Sequence, residues 1–218
     1  VASLFVFAMH VINRLMSGKE SGLIGSFREK SYMVNEKYYS LAAGVSLLSA
    51  LALALANSLS SFLFMSIISL AGGLYNMKIL PGFIRFQRLK DIPGSKNFFT
   101  AVAWGMVTSL LPALESGNPD KAAMAVAFFF TFALVFTRSA MSDIMDMQSD
   151  KLLGRETIPV LVGKEKTQIL LKLILLILLS VLAVAAFAGW ISSLGFFLMI
   201  CPLYIWICFR LCDRKTGL

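Results

Sequence analysis

Long apolar segments alternate with short polar segments along almost the whole chain. A transmembrane helix needs about 20 mostly apolar residues, with a range of roughly 17–25. Segments that reach or approach this length cover residues 1–16, 39–57, 59–75, 98–114, 122–140, 169–189 and 191–209. The pattern therefore predicts an all-α protein, a polytopic membrane helical bundle with about seven transmembrane helices.

The polar connections differ in length and charge from one side of the predicted bundle to the other. Basic residues concentrate in three long loops, residues 14–37, 78–96 and 138–166, and in the C-terminal tail. Two connections on the opposite side, 57–58 and 189–190, are tight and neutral. The excess of Lys and Arg in cytoplasmic loops predicts that the long loops face the cytoplasm. We expect an integral membrane protein (of the inner or plasma membrane in a bacterium) with its functional site on that face.

The composition agrees with a membrane protein and excludes several soluble classes. Hydrophobic residues make up 58% of the chain and charged residues 15%, whereas a soluble domain carries about 25% charged residues. The formal net charge is +8. In a soluble protein this charge would suggest nucleic acid, but basic loops beside an anionic leaflet explain it better. We expect membrane lipid as a partner, no nucleic acid, and leave phosphate-bearing substrates open.

Three aspartates follow the fifth predicted span at spacings i, i+3 and i+7: Asp143, Asp146 and Asp150. On a helix that continues this span, they would fall within an arc of about 60°. Three carboxylates on one face repel each other unless a cation or a basic group lies between them. Mg²⁺ suits such a site because it takes oxygen ligands and often shares them with substrate phosphates. A solvated helix end, closed by Gly154, is the alternative interpretation.

A second polar segment, residues 75–97, carries five basic residues between Lys78 and Lys96 and a single acidic residue. It begins with Tyr75 and Lys78, which would share one helix face at the membrane boundary, and it includes Lys90. Such a loop can bind anionic lipid, or it can hold a diphosphate opposite a metal. Arg155 provides a further basic group near the aspartates.

The acidic segment resembles a motif of a known protein family. Residues 143–160 read Asp-x-x-Asp-x-x-x-Asp-x-x-x-Gly-Arg-x-Thr-x-Pro-Val, which resembles the second aspartate-rich motif of the UbiA-type intramembrane prenyltransferases. Tyr75-x-x-Lys78 and the stretch of residues 88–97 resemble the loop before the fifth helix of that family. The resemblance extends over nearly the whole chain in the order of spans and the length of loops.

The resemblance implies a fold, a reaction and a set of partners. Family members have nine transmembrane helices and two aspartate-rich motifs that face one cavity. They bind a polyprenyl diphosphate through Mg²⁺ and transfer the prenyl group to an acceptor that is usually aromatic or otherwise lipophilic. The resemblance implies one transmembrane prenyltransferase-like domain over residues 1–218, without the first and last helices of the family.

The same resemblance suggests which residues form the site. Three would be catalytic and hold the metal: Asp143, Asp146 and Asp150. Six would contact the diphosphate of the substrate: Asn13, Arg14, Tyr75, Lys78, Lys90 and Arg155.

The first aspartate-rich motif of the family is not intact in this chain. The family pattern is Asn-Asp-x-x-Asp-x-x-x-Asp, and the matching stretch keeps Asn13 but has Arg14, Ser17 and Ser21 at the carboxylate positions. The positive charge of Arg14 could neutralise a diphosphate where a metal would otherwise lie. We expect a Mg²⁺-dependent prenyltransferase that works with one intact motif. The alternative is a non-catalytic homologue that binds lipid diphosphate or acts as a membrane scaffold.

Two other classes fit less well. A transporter would carry its ion site near the middle of the bilayer, and the aspartates lie at the predicted membrane edge. A CDP-alcohol phosphotransferase needs an Asp-Gly and Ala-Arg pair upstream of its later aspartates, and this sequence lacks that pair.

Overall fold

The all-α fold predicted from the sequence is confirmed. The computed structural model describes residues 1–21, 34–75, 89, 92–116, 120–152 and 154–215. Within these ranges every regular element is a helix and there is no strand. The chain divides into two compact units, Val1–Met77 and Lys78–Leu218. A single domain over residues 1–218 stays a prediction.

The first unit contains three helices in its described residues: α1 (Ala2–Ser21), α2 (Glu36–Asn57) and α3 (Leu59–Tyr75). Only Ser58 separates α2 from α3, as the short neutral connection predicted. The Ser58 hydroxyl accepts a hydrogen bond from the Ser61 N–H at 3.0 Å. This bond satisfies a backbone donor that the first turn of α3 would leave unpaired.

Small residues allow close packing within the first unit. Val11 and Leu15 of α1 form an apolar cluster with Ala43 of α2. Gly72 of α3 lies directly against the Met9 side chain of α1, where an added Cβ atom would clash. Glycine and alanine at helix contacts are typical of membrane bundles, because they let backbones approach each other.

The second unit is built around one long helix, α5. Its described helices are α4 (Ser95–Ser116), α5 (Lys121–Met145), α6 (Met147–Leu152), α7 (Ile158–Val162), α8 (Lys164–Phe187), α9 (Leu194–Leu198) and α10 (Ile200–Lys215). Helix α5 packs against α4 on one side and α8 on another. Phe136 and Ala140 of α5 share a buried cluster with Leu171 and Leu175 of α8 and with Phe209 of α10. The end of α5 that carries the aspartates is therefore held by neighbouring helices.

The length and apolar composition of its helices identify the chain as an integral membrane protein. Among the helices that the structure describes, four are long and apolar enough to cross a bilayer, namely α2, α4, α5 and α8, and three shorter apolar helices accompany them. Many of their large apolar side chains point outward, as Leu48, Ile67 and Leu203 do. Outward apolar side chains on helices with internally paired backbones suit contact with lipid.

The last predicted span differs from the structure. The helix begins at Leu194 and not at residue 191, and Met199, the one residue between α9 and α10, keeps helical dihedral angles, φ −62° and ψ −21°. Pro202 lies in the first turn of α10, where its missing N–H leaves no helical hydrogen bond broken. The predicted turn before this region is confirmed. Gly189 has φ +73°, and the Trp190 N–H donates to the Ala185 carbonyl at 2.9 Å.

A glycine on α4 gives the first testable prediction. A Cβ atom at Gly105 would lie 2.9 Å from Cδ2 and 3.2 Å from the carbonyl oxygen of Phe128 on α5. We expect Gly105→Ala to separate α4 from α5 and to lower the free energy of unfolding by about 1–3 kcal/mol. Thermal unfolding in detergent, followed by circular dichroism, measures this loss.

Gly44 provides the matched control because it is also in a helix interior, but nothing lies within 4 Å of its added Cβ atom. Gly44→Ala should stabilise the protein by about 0.5–1 kcal/mol, since alanine restricts the unfolded chain more than glycine does. If both variants unfold at the same temperature, the close contact between α4 and α5 does not contribute as described.

Candidate functional site

Three segments meet at one end of the second unit: the start of α4, the end of α5 with α6, and the start of α7. Gly94, just before α4, has φ +75°, and a Cβ atom there would lie 2.8 Å from Cγ1 of Ile158. Glycine therefore permits both the backbone conformation and the close contact with α7. The end of the basic loop and the acidic segment, which are far apart in sequence, come together here.

A chain of hydrogen bonds joins α4 to the first aspartate. The Asn97 amide donates from Nδ2 to Oδ2 of Asp143 at 2.7 Å. The Ser139 hydroxyl donates to Oδ1 of the same amide at 2.5 Å. Asn97 is 1% exposed and Asp143 is 7% exposed. Because a hydroxyl donates to its oxygen, the amide is oriented with its N–H toward the carboxylate.

Lys96 places a positive charge beside the same carboxylate. Its Nζ atom lies 4.0 Å from Oδ1 of Asp143, and its side chain is 71% exposed. An exposed ion pair of this length contributes little to stability. Its ammonium group can therefore exchange the carboxylate for a phosphate oxygen at small cost. The first turn of α4 adds the positive end of a helix dipole at the same place.

The continuous helix predicted through the three aspartates is wrong in one respect. Helix α5 ends at Met145, and α6 begins at Met147. Asp146 lies between them with φ −90° and ψ 4°, a conformation that interrupts helix geometry. The i to i−4 bonds persist, from the Asp146 N–H to Ser142 and from the Asp150 N–H to Asp146. Asp143 and Asp150 are buried, whereas Asp146 is exposed.

The end of α6 has the glycine cap that the sequence predicted. Gly154 has φ +67°, and its N–H donates to the Lys151 carbonyl at 3.2 Å. The Arg155 N–H donates to the Asp150 carbonyl at 2.9 Å. These two bonds form a Schellman motif. The motif returns the Arg155 side chain toward the helix, with Nη1 3.9 Å from Oδ1 of Asp150.

The environment of Asp150 favours its neutral form. Burial raises the pKa of Asp150 above its ordinary value, and the nearby charges of Asp143 and Asp146 raise it further. The positive charges of Arg155 and Lys96 act in the opposite direction. Buried carboxylates that repel each other bind a cation favourably, because the cation compensates both burial and repulsion.

The carboxylates at this site fit a Mg²⁺ ion that is bound by the protein through only one or two ligands. In the part of the chain that the structure describes, no three carboxylate, imidazole or thiol groups gather closely enough to hold a metal by themselves. Mg²⁺ is usually bound by one or two carboxylates and completed by water and substrate phosphates. The buried pair Asp143 and Asp150 suits a cation that shares its coordination with a diphosphate.

The other five predicted site residues belong to the first unit or fall outside the described residues. Asn13 and Arg14 are partly buried on α1, and Tyr75 is the last residue of α3, so all three belong to the first unit. Lys78 and Lys90 lie outside the described residues. Of the nine predicted residues, the described structure brings together the aspartates and Arg155.

The sequence analysis placed Lys96 and Asn97 in the basic segment, but it gave neither of them, nor Ser139, a role of its own. One signal for Asn97 was present: it begins a row of small or polar residues spaced by four, Asn97, Ala101, Gly105 and Ser109, in an otherwise apolar helix. All four are buried in the structure, and such a row marks the face that contacts another helix. Its polar first member indicated that a polar partner lies on the neighbouring helix.

Comparisons with known proteins give one match. The model of the UbiA prenyltransferase family matches residues 34–217. The matched range includes the aspartates and the start of α4, whereas Asn13 and Arg14 precede it. No curated protein and no solved structure matches the chain. Because the family match covers most of the sequence and the whole of the described acidic site, this chain belongs to the UbiA prenyltransferase family.

Proposed function

We propose that this protein transfers a prenyl group from a polyprenyl diphosphate to an aromatic or other lipophilic acceptor. The reaction would take place within the membrane and depend on Mg²⁺. The observation that supports this proposal best is the buried pair Asp143 and Asp150, with Lys96 and Arg155 beside it, inside a matched prenyltransferase sequence.

The reaction breaks the bond between the allylic carbon and the diphosphate oxygen. The bonding electrons leave with the diphosphate, and an allylic carbocation remains. The acceptor then forms a bond to this carbon and releases a proton. When bound, Mg²⁺ supplies positive charge that offsets the charge growing on the departing diphosphate.

Different residues of this chain would bind the cation and the diphosphate. The buried pair Asp143 and Asp150 would hold the cation, and Asp146 is the third ligand that the family resemblance implies. Positive side chains would bind the diphosphate oxygens, since charge-assisted hydrogen bonds are shorter and stronger than neutral ones. The proposed diphosphate contacts are Asn13, Arg14, Tyr75, Lys78, Lys90 and Arg155, to which the structure adds Lys96 as a candidate.

Two further parts of the proposal concern water and sidedness. A carbocation exposed to water is captured as an alcohol, so the site must exclude water. Apolar helices in a bilayer provide such exclusion. The excess of Lys and Arg in the long loops supports a site on the cytoplasmic face, by the positive-inside rule.

Binding and turnover in nanodiscs test the proposal. Farnesyl or geranylgeranyl diphosphate is titrated with and without Mg²⁺, and diphosphate release is measured with a panel of phenolic acceptors. We expect binding that requires Mg²⁺ and diphosphate release that requires an acceptor. Chelation with EDTA should abolish release, and added Mg²⁺ should restore it.

The other outcomes separate the alternatives. Mg²⁺-dependent binding without release, for every acceptor tried, would favour a non-catalytic homologue that retains lipid diphosphate. The observation that favours this second candidate is the first motif, in which Arg14, Ser17 and Ser21 occupy the positions of all three carboxylates. An absence of binding would contradict both.

A further inference from the structure

We propose that Asn97 is a positioning residue that holds the carboxylate of Asp143 in the orientation required for the cation and the diphosphate. In this arrangement Ser139 fixes the Asn97 amide, and the amide fixes the carboxylate. This inference rests on the proposed function, because it assigns the orientation a purpose in diphosphate chemistry.

The first step of the argument is the direction of the hydrogen bonds. Ser139 and Asp143 are four residues apart on α5, so they lie on the same face of that helix. The Asn97 amide comes from α4 and bridges them, accepting from Ser139 and donating to Asp143. A primary amide that accepts at oxygen and donates at nitrogen has only one orientation here.

The second step is what this bridge does to the carboxylate. Oδ2 of Asp143 is occupied by the Asn97 N–H, whereas Oδ1 lies toward the exposed Lys96 at 4.0 Å. The carboxylate therefore presents one defined oxygen to the side where a diphosphate would meet Lys96. Residues that orient metal-binding carboxylates typically change metal affinity or activity by about 10–100-fold when they are replaced.

The third step separates positioning from simple helix packing. A buried amide is costly unless it is hydrogen-bonded, so Asn97 could serve only to join α4 to α5. Those helices already have other contacts, including the hydroxyl bond from Thr108 to Thr131 at 3.0 Å and the close approach of Gly105. Asn97 differs from these contacts because its partner is a buried carboxylate.

The experiment compares variants of the full chain in nanodiscs. The ligand is farnesyl S-thiolodiphosphate, in which sulfur replaces the bridging oxygen, so that the bond broken in the reaction is not readily cleaved. It is titrated calorimetrically at a series of Mg²⁺ concentrations. The variants are Asn97→Leu, Asn97→Ala, Ser139→Ala and Ser139→Thr. Thr131→Val is the matched control, since it removes a hydroxyl hydrogen bond between the same two helices, 3.0 Å long and eight residues from Ser139 along α5.

We expect the Mg²⁺ concentration that gives half-maximal binding of the analogue to rise about 10–100-fold in Asn97→Leu and Asn97→Ala, because neither side chain can donate a hydrogen bond to the carboxylate. Ser139→Ala should raise it less, because the amide keeps its bond to the carboxylate. Ser139→Thr keeps a hydroxyl group and should remain close to wild type. Thr131→Val should lower thermal stability without changing the Mg²⁺ dependence.

Several results would overturn the proposal. An unchanged Mg²⁺ dependence in folded Asn97 variants would leave Asn97 as a packing residue. If both Asn97 variants fail to fold, an unchanged dependence in Ser139→Ala would decide against it. Wild-type protein that binds the analogue without Mg²⁺, or does not bind it, would overturn the proposed function itself, together with this inference.

Discussion

Replacing Asp143 with asparagine is expected to lower the rate of diphosphate release by about 100- to 1000-fold, the range seen when one group that stabilises transition-state charge is removed. The substitution keeps the size of the side chain, and its oxygen can still accept from Nδ2 of Asn97. The loss therefore comes from the missing negative charge that would hold the cation. Single-turnover measurement of diphosphate release in nanodiscs quantifies it.

Asp120 supplies the matched control for this experiment because it begins the same helix at the opposite end. Its carboxylate accepts a hydrogen bond from the Ala122 N–H at 2.9 Å. Asparagine caps a helix about as well as aspartate, so Asp120→Asn should retain both activity and stability. Equal activity in Asp143→Asn and Asp120→Asn would refute the role assigned to Asp143.

Asp150→Ala should abolish Mg²⁺-dependent turnover without unfolding the bundle. The cap of α6 uses the backbone carbonyl of Asp150, not its side chain, so the Schellman motif survives the substitution. Burial and the charge of Asp143 raise the pKa of Asp150 in the folded protein. The ionised carboxylate is therefore less favourable in the folded protein than in the unfolded chain, and removing it should cost little or no stability. Turnover should thus be lost while the thermal unfolding temperature stays close to that of the wild type.

Asp146→Ala completes this comparison, because Asp146 is exposed whereas its two neighbours are buried. If all three aspartates hold the cation, this variant should lose turnover as well. The measurement is diphosphate release over a range of Mg²⁺ concentrations, with melting temperature as the check on folding. Full activity in Asp150→Ala or Asp146→Ala would contradict the metal assignment for that residue.

Much of the fold could be predicted because transmembrane helices depend on local composition. A helix satisfies its own backbone, so a run of apolar residues of sufficient length is enough to predict a span. The tight connection at Ser58, the turn at Gly189 and the cap at Gly154 were also local, since each depends on one or a few residues. The family resemblance found in residues 143–160 was similarly contained in one continuous stretch.

The sequence could not predict the interruption at Asp146, or which carboxylates are buried. The spacing of the aspartates was compatible with a regular helix, and the deviation arises where α5 meets α6. Likewise, the last apolar run is helical only from Leu194 onward, with a local deviation at Met199, whereas composition treats residues 191–209 as one span. Both features depend on how neighbouring elements pack, which hydrophobic periodicity does not record.

By itself, the sequence determined that this chain is a helical membrane protein with an acidic motif and basic loops, because these properties follow from residue type and spacing along the chain. Only the tertiary structure decided which residues meet at the motif. Asn97 and Asp143 are separated by 46 positions, and Lys96 reaches the same carboxylate. Such contacts arise because antiparallel packing of α4 on α5 brings the start of one helix to the end of the other, and no local pattern specifies which side chains then face each other.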